Sequence, residues 1–421
     1  MRLFAGWMET GQATDLQEHR ARYGALPTFP AHGEHPLLDA VARSGLTGRG
    51  GAGFPTATKL RAVARAKRPE RVVVANGMES EPAAKKDKAL LRLSPHLVLD
   101  GIQSAAEAVG AGEAYLCVAE GRSRLDEELR ELIAERRYNG IDAIEVQVRT
   151  PPHRYVSSEA SALVNWLSGN DAKPTTTPPR TSERGVAGLP TLVDNVETLA
   201  HLALIARYGP DWFRSHGTNE SPGTTLVTLT GAVPAPGVYE VAYGMPLREV
   251  MVLGGPVTDA QAVLVGGYSG TWLPAGQAAA LEYSGPGLAV VGATPGAGVL
   301  AALPSTSCGL AETARILDYL AVQSAGQCGP CRFGLPATAE DFTRLAFGHC
   351  DRAARERLER HVAQLPGRGA CKHPDGAARL ATSALHTFAH EVRRHLANGP
   401  CPAALQAPAL LPTPTLAGEW R

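Results

Sequence analysis

Between residues 71 and 148, short β-branched runs alternate with helical stretches, and this alternation restricts the fold more than any other feature. Arg71–Ala75 (RVVVA) reads as a buried strand that runs into the polar loop NGMESEP at 76–82. A helix is expected at Leu97–Val109, a strand at Ala114–Val118, a charged helix at Arg124–Arg136 and a strand at Ile144–Val148. Strands separated by helices predict βαβ units and a mostly parallel sheet, so residues 45–215 are expected to form one α/β domain. Residues 1–44 read as an arm that ends in a short helix at His35–Arg43.

Beyond Thr224 the pattern changes. TTLVTLTG, GVYEV, LREVMVLGG and AVLVGG follow the order strand, turn, strand, helix, strand, which suits a small β-grasp-like module at 222–276. Apolar residues recur at helical spacing from Leu310 to about Leu396, giving a helical domain at 300–398. The Pro-rich remainder, 399–421, reads as a mobile tail.

Composition narrows the function classes. The chain has 421 residues, and its 41 basic and 41 acidic side chains balance. A basic nucleic-acid footprint is therefore not expected. Polar residues interrupt every apolar run well short of the roughly 20 residues of a membrane span. Direct membrane insertion is not expected, and the N-terminus lacks a secretory pattern, so the expected location is cytoplasmic or peripheral on a membrane complex. The seven cysteines are odd in number, and Cys328 and Cys331 stand in CxxC spacing with Cys371 far downstream. Read alone, that pattern admits zinc, a redox dithiol or an iron–sulfur cluster. Cys117 reads as a core thiol and Cys401 as incidental.

GRGGAGFP (48–55) packs four glycines into six residues just before a helix. Glycines let backbone approach a ligand, and a helix N-terminus adds a positive dipole end. The glycines alone describe a tight turn equally well. Polar groups follow in NGMESEP with Glu79 and Glu81, in RYVSSEASAL (154–163), and in GLPTLVDNVETLA (188–200). Carboxylates at the end of a parallel strand sit at the usual ligand edge of an α/β sheet.

In this order and spacing, the four segments resemble the NADH-binding flavoprotein subunit of respiratory complex I, with features of the C subunit of Rnf-type ferredoxin:NAD oxidoreductases. The resemblance implies a Rossmann-like α/β domain holding FMN, an SLBB-type β-grasp domain and a C-terminal helical bundle with an iron–sulfur cluster. It places Gly48, Arg49, Gly50, Gly51, Ala52, Gly53 and Phe54 in the flavin loop, with Lys59 beside the flavin. It adds Asn76, Glu79, Tyr155, Glu159, Asp194, Asn195 and Thr198 as flavin contacts, and Glu81 as the catalytic-site carboxylate lining the nicotinamide position. Hydride would pass from NADH to FMN, and single electrons to the cluster and then to a quinone-linked or ferredoxin partner, including other electron-transfer subunits.

The departures from the family fall on the nucleotide and the cluster. Ala160 replaces a glutamate, Ala62 an aromatic, Thr177 a basic residue, Arg180 an aromatic and Met78 an acid. Cys328, Cys331 and Cys371 match three ligands of a [4Fe–4S] cluster, but the first position is Ala325. A non-cysteine ligand, a [3Fe–4S] cluster or no cluster are the remaining outcomes, with Cys308 and Cys350 as substitute thiols. His373 lies close to Cys371 in sequence. The alternative function is a degenerate homologue with weak or no NADH oxidation, acting as a flavin or cluster scaffold or taking electrons from another donor.

Overall fold

The computed structural model describes residues 2–29, 34–121, 124–348, 350–415 and 419–421. Its first sheet contains β1 (Val72–Gly77), β2 (Glu113–Val118), β3 (Val146–Arg149) and β4 (Thr191–Asn195), in the order β3-β2-β1-β4 with every pair parallel. Both faces are covered. Val73 and Ala75 of β1 enter one core with the helices Pro95–Val109 and Val196–Arg214, while Val72 and Val74 pack under the helix Ala160–Leu167. Burial on both faces is why β1 is a continuous apolar run rather than an alternating one.

The helix Pro95–Val109 begins with Pro95, whose missing N–H costs nothing in the first turn, and ends at Gly110 with φ 67°. Gly101 lets it lie against Val196–Arg214, since a Cβ there would sit 2.0 Å from the Leu199 carbonyl oxygen. Beneath this contact, Asp100 accepts from the guanidiniums of Arg136 and Arg207 and pairs with His19, tying four helical segments together.

The sheet delivers polar groups to one edge. Asn76 and Asn195 pair in register at the C-terminal ends of β1 and β4. The chain steps from β1 outward to β2 and β3 on one side, then crosses back from β3 to β4 on the other, so the order reverses between β1 and β4. Such a reversal opens a crevice at the strand ends, where α/β folds bind ligands.

The second sheet contains β5 (Thr224–Gly231), β6 (Gly237–Ala242), β7 (Ala262–Val265), β8 (Thr271–Pro274) and β9 (Val299–Leu303), in the order β6-β5-β9-β7-β8. β9 runs parallel to β5 and antiparallel to β7 at the centre. A module boundary at 276 therefore leaves out the middle strand, which belongs to this sheet and not to the helical domain. One face packs on the helix Leu247–Val252. Ala262, Leu264, Val299, Ala301 and Leu303 on the other face join the core of the C-terminal helices, so the sheet ties the two regions together.

The C-terminal region is helical, with Gly309–Val322, Leu335–Phe347, Arg352–Ala363, His373–Thr387 and Ala389–Asn398. The tail departs from the expectation of a mobile segment. Cys401, Ala404 and Leu411 are buried, the Glu312 carboxylate accepts from the amides of Leu410 and Leu411, and the Tyr268 hydroxyl donates to the Pro412 carbonyl. Proline richness there serves an ordered wrap rather than a solvated coil. Among the described residues, no helix is long and apolar enough to cross a membrane.

Candidate functional site

The glycine loop is closed at its base. Thr47 bridges to Pro55, the Gly48 amide donates to the Phe54 carbonyl, and the helix Thr56–Ala64 starts immediately after. Gly51 and Gly53 take φ of 107° and 61°, a region open to glycine without strain. The Arg49 amide donates to Thr198 Oγ1, so Thr198 anchors the loop to the start of the helix Val196–Arg214. The Arg49 guanidinium turns away from the strand edge. It donates to the Thr47, Pro222 and Thr224 carbonyls and lies over the Tyr243 ring. Among the described residues, the amides of Gly50, Gly51, Ala52 and Gly53 find no protein acceptor.

A cleft of about 520 Å3 opens at the strand-order reversal. Gly50, Gly51, Ala52, Asn76, Glu79, Glu81, Tyr155, Glu159 and Asn195 line it, bringing together nine of the residues singled out from sequence. Cys371 and His373 form part of the same wall. The remaining residues lie around it: Gly48, Arg49 and Gly53 border a smaller cavity of about 230 Å3 behind the loop, and Phe54 and Lys59 line a neighbouring one. Asp194 and Thr198 are fully buried supports.

Several of these side chains hold the cleft in shape. Glu79 accepts from the amides of Asp87 and Lys88 at the start of the helix Lys86–Leu93. Its carboxyl is pushed up by burial and then by Asp87, with φ at 38°. Glu159 caps the helix Ala160–Leu167 through the amides of Ser161 and Ala162. Asn195 caps Val196–Arg214 and donates to Asp87 and to the Asn76 carbonyl, while Asn76 donates to the Ser158 carbonyl. Lys59 is held by Asp194 at 2.8 Å and by the Val193 carbonyl. Asp194 keeps a raised pKa because burial outweighs Lys59, and its Oδ2 has no partner among the described residues.

Glu81 has the environment best suited to proton handling. Its Oε2 accepts from the Tyr155 hydroxyl and the Tyr268 amide, both at 3.0 Å. Burial pushes its carboxyl up to about 7, against the opposing pull of those hydrogen bonds. A carboxyl at that value gains and loses a proton near neutrality. His373 packs 5.4 Å from the Tyr155 ring. Its Nε2–H donates to the Leu320 carbonyl, leaving a buried Nδ1 without a partner among the described residues.

The roof of the cleft escapes a reading of the sequence. Gly266 and Ser269 from the β7–β8 turn, and Thr294, Gly296 and Ala297 before β9, close it from the second sheet. Gly296 has φ of 53°, and a Cβ on it would lie 2.4 Å from the Gly266 carbonyl oxygen, so the two turns nest because neither has a side chain. The glycine-rich strings GGYSG and ATPGAG were the available signal.

The neighbouring cavity, about 870 Å3, gathers the altered positions other than Met78 and Ala325, together with Phe54. Phe54, Ala62, Ala160, Thr177 and Arg180 all line it. Phe54 is 42% exposed there.

Cys328 precedes a wide helical turn at Pro330–Gly334 that contains Cys331, and Cys371 precedes the helix His373–Thr387. The three thiols interact. Burial raises Cys328, but the Ala370 and Cys331 amides and the Cys331 thiol outweigh it and leave Cys328 below the usual value. Cys331 is pushed up to about 12 by burial and by Cys328, and Cys371 is raised by burial. The proposed substitutes have other neighbours: Cys308 contacts Glu391 and His395, and Cys350 the Asp351 carbonyl.

The chain matches two family models: the Nuo51 FMN-binding domain over residues 41–204 and the NADH-ubiquinone oxidoreductase-F iron–sulfur binding region over 311–395. It is 31% identical to the second F-type subunit of NADH-quinone oxidoreductase in Rhizobium meliloti, with 92% of this chain and 96% of that protein covered. It is also 31% identical to the HndC subunit of the NADP-reducing hydrogenase of Solidesulfovibrio fructosivorans, covering 86% and 77%. Among solved structures, a chain of an NAD+-reducing [NiFe]-hydrogenase in its H2-reduced state superposes with a TM-score of 0.82 at 31% identity, over 97% of this chain and 68% of that one. With its parallel sheet, strand-end cleft and thiol group on the cleft wall, the chain belongs to the family of F-type NADH-quinone oxidoreductase subunits.

Proposed function

We propose that the 520 Å3 cleft holds FMN and the nicotinamide of NADH, and that the adjoining cavity takes the adenosine half. The family assignment makes the chain an electron-transfer oxidoreductase subunit with an FMN domain and an iron–sulfur region. The observation that carries the reading is a single wall: Cys371 borders the same cleft as Gly50 and Gly51. FMN supplies the conversion of a two-electron hydride donor into single electrons.

The residues fit the flavin. The amides at Gly50–Gly53, which find no acceptor among the described residues, suit an electronegative edge or phosphate, and glycine permits close approach. Glu81 orients the nicotinamide side and holds a proton at its carboxyl near neutrality. Tyr155 donates to Glu81 and keeps it aimed. Glu79, Glu159 and Asn195 fix the strand ends, and the second-sheet turns exclude water from above. The thiol group supplies three of the four thiolates that a [4Fe–4S] cluster takes. A cluster with three protein thiolates therefore fits at Cys328, Cys331 and Cys371, with Ala325 leaving one corner to a non-cysteine ligand. The order β6-β5-β9-β7-β8 supports an SLBB-type β-grasp identity for the middle domain. The electron acceptor is proposed to be another electron-transfer protein of the same complex or a ferredoxin.

A second reading, a flavin scaffold with little NADH turnover, is favoured by Ala62 and Ala160 in the adenosine cavity. Anaerobic titration of the FMN-loaded chain with NADH separates the two. Bleaching of the flavin at micromolar NADH supports the oxidoreductase reading. No bleaching at millimolar NADH, with FMN retained, establishes the scaffold.

A further inference from the structure

Away from the cleft, three ligating side chains converge where the last helices meet, and the Glu391 carboxylate stands beside one of them. Cys308 stands at the start of the helix Gly309–Val322, and Glu391 and His395 lie one turn apart on Ala389–Asn398. Cys401 opens the tail helix Pro402–Gln406. The ligand atoms of Cys308, His395 and Cys401 all lie within 4.8 Å of one another. Cys308 Sγ is 3.1 Å from Glu391 Oε2 and 3.8 Å from His395 Nε2. All four residues are buried, with exposures between 2% and 5%.

The ring is set for ligation. His395 Nδ1 lies 3.0 Å from the Leu345 carbonyl oxygen, which only accepts, so Nδ1 carries the hydrogen and Nε2 turns its lone pair towards the sulfurs. Metal-bound histidines are oriented in this way by a carbonyl on the far nitrogen. The Cys401 amide donates to the same Nε2 at 3.2 Å, so an ion would replace that hydrogen bond. A surface depression of about 670 Å3 has His395 in its wall.

The donor set selects the ion. Two sulfurs and one imidazole nitrogen, completed by the carboxylate oxygen beside Cys308, make four donors of the kinds that zinc takes. An iron–sulfur cluster would find only two thiolates here, and magnesium or calcium would want oxygen. We propose that Cys308, Glu391, His395 and Cys401 form a structural zinc site that clamps the C-terminal segment onto the helical bundle. Loading forms two Zn–S bonds, one Zn–N bond and one Zn–O bond as the two thiols release their protons to solvent, with no change of oxidation state. The site is independent of the flavin reading, and Cys401 is one of its ligands rather than an incidental thiol.

The test is metal content of the full chain, expressed with zinc and dialysed anaerobically. The unaltered chain and a Cys328→Ser/Cys371→Ser control are expected to retain about one zinc each, with at least ~10-fold less in Cys308→Ser and in Cys401→Ser. Cobalt(II) in place of zinc is expected to give a thiolate charge-transfer band that the same two variants lose. In case a serine variant misfolds, a second measurement uses the unaltered chain: a chelator should lower its melting temperature, and zinc but not magnesium should restore it. A folded chain that retains no zinc, zinc content indifferent to both cysteine variants, or iron and sulfide bound at these residues overturns the proposal.

Discussion

Glu81 and Phe54 are the side chains whose substitution tests the cleft most sharply. Glu81 has an ordinary carboxyl value of 4.5 and a folded value of about 7. Between those values the folded chain keeps a proton that the unfolded chain has lost. Stability of the cofactor-free chain is therefore expected to fall as pH rises from 4.5 to 7 and to level off above, by up to about 3 kcal/mol from this group. Glu81→Gln should remove this group's share of the slope and leave that of Glu79, which burial raises likewise, read by denaturant unfolding at pH 4.5 and 7.5, and an unchanged slope would count against the buried carboxyl. Phe54, half-exposed on the cavity proposed to take adenosine, is expected to contribute about 1–3 kcal/mol of base stacking. Phe54→Ala should raise KM for NADH correspondingly and leave FMN content unchanged; equal losses of both would place Phe54 on the flavin instead. Asn76, Glu79, Glu81 and Asn195 were legible because polar residues that end a β-branched run stand at a sheet edge. The Gly266 and Gly296 turns were not, because they reach the cleft from another sheet, and short glycine strings look alike in any loop.

Among elements, the contact between the helices Pro95–Val109 and Val196–Arg214 sets the rear wall of the parallel sheet. Gly101→Ala would drive a Cβ to 2.0 Å from the Leu199 carbonyl oxygen. Overpacking of this kind costs about 1–3 kcal/mol or more, so the melting temperature should fall by several degrees. Gly112→Ala, which meets open space, should leave it unchanged and serves as the control. Three of the four parallel strands and the helices between them were readable from period alone, since both sheet faces are covered; β4 was not, because its short run TLVDN ends in the polar residues that open the next helix. β9 escaped because its sheet partner β5 lies some seventy residues earlier and its apolar run directly precedes a helix of the same composition. The tail escaped for a different reason: proline content reports backbone stiffness, and Leu411 and Cys401 find apolar cover only in three dimensions.

The whole molecule brings a strand-end cleft, a roof from the second sheet and a thiol group from the C-terminal helices to one place. The four motif segments in order identified the family, whereas the convergence of Cys308, Glu391, His395 and Cys401 came from chain packing that no motif encodes. Ala325 leaves the thiol group with three sulfurs, so the central claim is that electrons delivered by NADH reach a cluster there. The direct test is electron paramagnetic resonance of the anaerobically reconstituted, FMN-loaded chain before and after one equivalent of NADH. Flavin bleaching together with a changed iron–sulfur signal is expected, and loss of that signal in Cys371→Ser. A chain that binds FMN but takes up no iron, or a cluster whose signal ignores both NADH and Cys371→Ser, would contradict it.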